Sequence, residues 1–241
     1  MVGRPYVPLG FPHTRVWSGR SDFFEIEIVD LPDEGRALFL DSTLQSTAAC
    51  EAVFHRALVR PALDAFGQEG PRDVLILGAG ECATLRDVLK AASVERVVAT
   101  DIDAMLLQAV REHMPEWHAG SMDDPRVELR VEDVRDTLAQ ASEASFDLVV
   151  VDLTDASDAG FDQDDVAPKL DRGFFEAVKR ALRPDGVVTA MAGECNPPAA
   201  AGMVSPISAI LKVFGNVDAS RVDIPAFGGE WMFALARKSL A

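Results

Sequence analysis

Two short stretches of this chain, D-V-L-I-L-G-A-G-E (73–81) and F-D-L-V-V-V-D-L-T-D (146–155), share one construction: apolar β-formers that stop abruptly at glycine or acid. In open α/β sheets a ligand sits at the carboxyl ends of the strands, where strand order reverses. Gly78 and Gly80 would let the backbone turn tightly and approach such a ligand, and the helix that follows would offer unpaired N–H groups. The run fits G-x-G-x-x-G with Ala83 in the third glycine position, a pattern shared by dinucleotide-binding and nucleoside-sulfonium enzymes. Asp101 follows Gly80 by 21 residues, about where an acid accepts hydrogen bonds from ribose hydroxyls. Asp133 closes a third strand, within reach of a base edge, although an acid there also suits a helix cap. Asp152 closes a fourth, which in the doubly wound order lies beside the first, so Asp152 and Glu81 should face each other across one cleft. Clustered carboxylates raise one another's pKa or demand a cation between them. The chemistry this predicts is a ribose held on one side and a positively charged amine on the other.

Alternating strand and helix patterns must position these acids. Apolar strands are expected at 74–77, 96–101, 127–133, 147–152 and 186–191, with helices beginning near Thr84, Ala104 and Phe174 and another at 205–213. Such alternation implies a parallel sheet covered on both faces. Ahead of it, residues 1–20 read as an extended arm, and F-F-E-I-E-I-V-D and A-L-F-L-D flank a Gly-containing turn as a β-hairpin. The segment from Ser46 to Leu63 has helical spacing and opens on cap residues. Residues 1–47 are therefore expected as an arm with a small β-hairpin domain, and 48–241 as the nucleoside-binding domain. The acidic stretch 155–166 has the composition of a loop.

The formal charge of −16 over 241 residues argues against a nucleic-acid partner and favours cations. No apolar run approaches the roughly 20 residues that span a bilayer. No apolar leader is legible near the start, and Cys50, Cys82 and Cys195 lack CxxC spacing, which fits a reduced, cytoplasmic protein. His13, His113 and His118 show no metal-ligand spacing, and no metal site is expected.

With those residues in hand, the chain resembles the polyamine aminopropyltransferases, the spermidine synthase family, from about residue 21 to 238. G-R-A-L-F-L-D-S-T-L-Q, E-A-V-F-H-R-A-L-V-R-P-A-L, V-L-I-L-G-A-G-E-C-A-T-L-R-D-V-L-K, D-P-R-V-E-L-R-V-E-D, V-V-V-D-L-T-D and P-A-F-G-G-E-W-M-F-A-L-A are similar to that family's blocks, in the family's order. The resemblance implies a Rossmann-like, doubly wound, mostly parallel seven-stranded sheet of class I methyltransferase type, with a small N-terminal β-hairpin domain. It implies transfer of an aminopropyl group from decarboxylated S-adenosylmethionine to a di- or polyamine, releasing methylthioadenosine, in a cytoplasmic homodimer with no permanently bound cofactor. Asp152 would be the carboxylate that takes the attacking amine's proton, Asp155 would hold the far ammonium, and Glu81 the amine of the transferred group. Asp101 and Asp133 would bind ribose and adenine beside Gly78 and Gly80, while Gln45 and His55 would line the cleft. Phe227 and Trp231 could flank the methylene chain.

Several positions depart from the family pattern: Phe24, Cys50, Phe54, Arg56, Ala156 and Met191 or Ala192 replace residues that are mostly polar there. Arg56 matters most, since its fork inside the cleft would suit a carboxylate. The donor could then be intact S-adenosylmethionine, and the protein a methyl- or aminocarboxypropyl-transferase on a small molecule. A non-catalytic relative that binds nucleoside or polyamine is the third reading.

Overall fold

The computed structural model describes residues 9–153, 170–195 and 206–239. An antiparallel sheet comes first, built in chain order from β1 (Thr14–Arg20), β2 (Glu25–Leu31), β3 (Gly35–Leu40) and β4 (Thr43–Thr47). The expected hairpin is its middle pair, joined through Leu31↔Gly35. The sheet is larger than expected because Thr14–Arg20, read from sequence as an arm, pairs with β2, and 43–47 pairs with β3. Ser46 and Thr47 therefore lie in a strand and do not cap a helix; α1 begins later, at Glu51–Asp64.

Then follow β5 (Asp73–Leu77), α2 (Ala83–Val88), β6 (Arg96–Asp101), α3 (Ala104–His113), α4 (Pro115–His118), β7 (Val127–Val131), α5 (Val134–Gln140) and β8 (Phe146–Val151). The remainder is α6 (Arg172–Ala181), β9 (Leu182–Glu194), α7 (Pro206–Phe214), β10 (Asp218–Ile224) and β11 (Gly229–Arg237). They form a seven-stranded sheet ordered β10-β11-β9-β8-β5-β6-β7. The pairs from β7 through β9 are parallel, and only the β9–β11 and β11–β10 pairs are antiparallel. Strand order reverses between β5 and β8, so the crevice lies where Gly78 and Asp152 emerge.

Both faces are buried, as continuous apolar strands require. Val74 and Ile76 point into one core with Leu58, Ala62 and Leu85, while Leu75 and Leu77 point into the other with Phe175, Val178 and Ile210. The N-terminal sheet rests on the same body through Ile26, Ile28, Leu38 and Leu40, which pack on Leu106, Val110 and Trp117. Ile26 and Ile28 are wholly buried, and burial of each side chain stabilises by about 2 kcal/mol. Asp103 fastens the junction: it caps α3 through the N–H groups of Met105 and Leu106 and accepts a 2.5 Å bond from the Ser21 hydroxyl. Among the described residues no helix is long and apolar enough to cross a membrane.

Candidate functional site

The β5–α2 turn is forced by its glycines. Gly78 has φ +90°, and a Cβ there would lie 2.1 Å from the Asp152 carbonyl oxygen, so only glycine lets the ends of β5 and β8 come this close. Gly80, at φ +38°, donates its N–H to Asp101 Oδ2 at 2.7 Å, and Asp103 N–H binds the other oxygen at 3.0 Å. Asp101 is thus fixed at the end of β6, beside the turn, as the sequence spacing predicts.

Glu81 and Asp152 meet around His55, a wholly buried residue of α1. His55 Nε2 lies 3.6 Å from Glu81 Oε1, and the ring is electrostatically coupled to Asp152. On the ring's other side Nδ1–H donates to the Glu51 carbonyl at 2.7 Å, with Glu51 Oε2 at 3.4 Å. Burial by itself pushes the imidazole pKa down, but the Glu51 bond and the charges of Glu81 and Asp152 carry it up to about 9. Burial also opposes ionisation of Glu51, yet bonding to His55 and Arg86 brings its pKa down to about 2. Arg86, from α2, grips Glu51 with two bonds of 2.9 and 3.2 Å.

The inner carboxylates are held in the opposite sense. Burial raises the pKa of Glu81, with His55 pulling it back and Asp152 adding to the rise. Burial also raises Asp152, against His55 and the Thr84 hydroxyl, which donates to Asp152 Oδ2 at 2.5 Å. Asp101 is raised by burial too, against the N–H bonds of Asp103 and Gly80. Ser46 supports Glu81 from the N-terminal sheet: Trp117 Nε1–H donates to its Oγ at 2.9 Å, and the Ser46 hydroxyl works against the rise in the Glu81 pKa.

An aromatic wall adjoins these acids. Phe54 lies 5.2 Å from His55 and 6.0 Å from Phe227 by ring centroids, and Phe227 lies 5.4 Å from Trp231. Among the described residues, Trp231 Nε1 is buried without a hydrogen-bond partner.

Of the residues singled out from sequence, Gly78, Gly80, Glu81, Asp101, Asp152 and His55 come together at the switch point, and Phe227 and Trp231 join them through Phe54. Gln45 is the extra residue of a bulge in β4, opposite the Leu38–Phe39 step, and donates to the Thr43 carbonyl at 3.2 Å. Its neighbour Ser46 is the residue of this strand that lowers the Glu81 pKa. Asp133 caps α5 through Arg135 N–H at 2.7 Å and pairs with the Arg135 guanidinium. Asp155 and the loop 155–166 lie outside the described residues. Arg56 is solvent-exposed, one position round the helix from His55. Phe24, Cys50, Met191 and Ala192 are buried apolar positions.

Sequence reasoning missed Glu51, Arg86, Ser46, Thr84 and Trp117. A signal existed for Glu51, which precedes His55 by one helical turn. None existed for Trp117, whose bond to Ser46 spans 71 residues of chain.

Residues 51–240 match the family model described as the spermine/spermidine synthase domain. The chain is 38% identical over 222 residues to a polyamine aminopropyltransferase of Aeropyrum pernix, covering 92% of this chain and 68% of that protein. It is 38% identical over 221 residues to polyamine aminopropyltransferase 2 of Pseudomonas aeruginosa, covering 92% of this chain and 61% of that one. Its fold is similar to a crystal structure of spermidine synthase in complex with the transition-state analogue AdoDATO, with TM-score 0.84 and 25% identity over 100% of this chain and 85% of the other. It is also similar to spermidine synthase from Thermotoga maritima, with TM-score 0.82 and 25% identity over 100% of this chain and 84% of that one.

Proposed function

Because this chain belongs to the spermine/spermidine synthase family, we propose that it transfers an aminopropyl group from decarboxylated S-adenosylmethionine to a di- or polyamine, releasing methylthioadenosine. The observation that carries this reading is the pair of half-buried carboxylates, Glu81 and Asp152, at the switch point beside a glycine turn. Carboxylates whose pKa burial raises are relieved by a bound ammonium, and the two sit where a nucleoside's tail would end.

The chemistry divides among the residues accordingly. Asp101 binds the ribose hydroxyls, Asp133 serves the adenine end, and the Gly78–Gly80 backbone lies against the nucleoside. Glu81 holds the ammonium of the group to be transferred, and Asp155 the far ammonium of the acceptor. Phe227 and Trp231 flank the methylene chain, and Gln45 and His55 line the cleft. A primary ammonium has a pKa of about 10.4, so the acceptor arrives protonated. Thr84 takes one oxygen of Asp152, which leaves the other to accept that proton. The amine nitrogen then forms a bond to the methylene carbon on sulfur as the carbon–sulfur bond breaks, and its electron pair neutralises the sulfonium. A raised pKa makes Asp152 a stronger base than a solvated carboxylate, and alignment supplies the remainder.

The decarboxylated donor fits the charges. A donor carboxylate would meet Glu81 and Asp152, while Arg86 is engaged by Glu51 and Asp87. Arg56, the residue that could have redirected the pocket, is exposed. The three cysteines are free, in keeping with a cytoplasmic setting. The homodimer is carried as part of the same reading, and light scattering would test it.

Mass spectrometry of the purified protein with an amine panel tests the reaction, once with the decarboxylated donor and once with the intact one. An aminopropyl gain with only the decarboxylated donor is expected. A methyl or aminocarboxypropyl gain with the intact donor, or no product with either, would overturn it.

A further inference from the structure

His55 cannot be treated as one more polar residue of the cleft, because both of its ring nitrogens face acceptors. Nδ1 meets the Glu51 carbonyl at 2.7 Å and the Glu51 carboxylate at 3.4 Å, and Nε2 meets the Glu81 carboxylate at 3.6 Å. A neutral imidazole has one N–H and one lone pair. With Nδ1–H committed to Glu51, a neutral ring would aim its Nε2 lone pair at an anion. Only a ring protonated on both nitrogens satisfies every contact while Glu81 stays ionised.

The ring is wholly buried, so it needs a device to hold it in that state. Glu51 is that device, and Glu51 is itself fixed from a second helix. Arg86 reaches across from α2 with a two-pronged bond of 2.9 and 3.2 Å, and it is braced by Asp87 at 2.9 Å. The charged groups facing His55 are Glu51 on its own helix, Glu81 from the β5–α2 turn and Asp152 from the end of β8, with Arg86 behind Glu51. Around Cys50 at the start of α1, the N-terminal sheet contributes the uncharged Ser46 and Thr47, with Glu34 bonded to the Thr47 hydroxyl at 3.0 Å. Glu51 and Arg86 offset each other, so the ring's charge is left for Glu81 and Asp152.

We propose that Glu51 and Arg86 are positioning residues: Arg86 orients Glu51, Glu51 seats His55 with Nδ1–H turned inward, and the ring's second N–H stands as a fixed cation that keeps Glu81 and Asp152 ionised. The proposal rests on the reading of those two carboxylates as the amine-transfer centre, and it gives His55 the task of preserving the base. Without that cation, two half-buried acids in one crevice would share a proton near neutrality. Asp152 would then be unable to accept the acceptor's proton. Burial raises the pKa of both carboxylates, and His55 is the lowering influence common to Glu81 and Asp152 that opposes it.

The test has one arm that needs no substrate. Isotope-labelled imidazole resonances are followed by NMR from pH 5 to pH 10.5 in the unaltered protein and in Glu51→Gln, with His55 assigned from its absence in His55→Asn. His55 should titrate well above the ordinary histidine value and fall by about one pH unit or more in Glu51→Gln. Arg86→Lys keeps the charge but loses the fork, and should give a smaller fall; it also serves where Glu51→Gln does not fold. The second arm is the pH profile of aminopropyl transfer. In Glu51→Gln the alkaline limb should move down while the acid limb stays in place, narrowing the profile, whereas a variant that only loosens the fold loses rate at all pH values alike. An unchanged His55 titration in both variants, or a uniform loss of rate, overturns the proposal. Absence of transfer in the unaltered protein would sink the functional reading, and the NMR arm would still decide whether Glu51 and Arg86 hold the cation.

Discussion

The Thr84 hydroxyl donates to Asp152 Oδ2 at 2.5 Å, so the carboxylate that ends β8 is steered by the first turn of the helix that follows β5. Among the described residues one oxygen is occupied and the other has no hydrogen-bond partner. The ends of two neighbouring strands thereby place one hydrogen-bonded pair, which is what the doubly wound order makes available at its switch point.

Thr84→Val keeps the shape of the buried side chain and removes the donor. The Thr84 bond lowers the pKa of Asp152, so its loss should move the acid limb of the rate profile to higher pH. A bond to a charged group contributes about 1.5–3 kcal/mol, so kcat/KM near neutrality should fall about tenfold or more. Thr84→Ser should recover most of the loss. A profile that stays in place would remove Thr84 from the mechanism.

Asp152→Asn should separate binding from chemistry. Donor affinity, read by calorimetry, should stay close to that of the unaltered protein, while single-turnover rate falls by about 100-fold or more. Full activity in this variant would remove Asp152 from its assigned role.

The ionised network sets a pH dependence of stability. Glu51, carried down to about 2 from 4.5, contributes stability that is complete above 4.5 and is lost as pH falls through 2. His55, carried up to about 9 from 6.5, contributes stability that is complete below 6.5 and is lost as pH rises through 9. Glu81, Asp152 and Asp101 are raised acids, so ionising them weakens the empty fold as pH rises. Thermal melts should therefore show Tm falling on the alkaline side through pH 9, and Glu51→Gln should flatten that decline. A Tm that climbs steadily from pH 7 to pH 10 would contradict it.

Cations that bind the raised acids should stabilise the fold by mass action. A short aliphatic diamine at about 100 times its Kd should add about 2.7 kcal/mol, visible as a rise in Tm. The rise should shrink with salt and in Glu81→Gln, and a dicarboxylate of equal length should give none. Equal shifts from the diamine and the dicarboxylate would show that the cluster does not select for charge.

The two glycines of the turn should respond differently to alanine. At Gly78 a Cβ would strike the Asp152 carbonyl, at 2.1 Å, in a left-handed backbone, so Gly78→Ala should cost several kcal/mol by denaturant melts or displace Asp152 and abolish transfer. At Gly80 nothing lies within 4 Å of the added carbon, and strain alone should cost about 1 kcal/mol. Equal effects would mean that the close approach of β5 and β8 is not what Gly78 is for.

Much of this was legible before any coordinates. Val74 to Leu77 and Leu148 to Val151 read as buried strands because both faces of a parallel sheet are covered, and nothing else gives continuous apolar runs of that length between turn residues. Asp101 and Asp152 could be placed because a strand's last residue is fixed by where its apolar pattern stops. The N-terminal strands were harder. Thr14–Arg20 is half exposed and polar, so its strand character comes from pairing with β2 and not from its own composition. Ser46 and Thr47 have the types that cap helices, yet pairing with β3 claims them.

The sequence by itself determined the order of strands from β5 to β9, the switch point and the acids that stand there, since periodicity and turn chemistry are local. The tertiary structure alone decided how those acids are held. Arg86 reaches Glu51 across 35 residues, Thr84 reaches Asp152 across 68, and Trp117 reaches Ser46 across 71. No local pattern encodes such pairs, because a hydrogen bond depends on distance in space, and only the packing of α1, α2 and the N-terminal sheet onto one crevice brings those partners within reach.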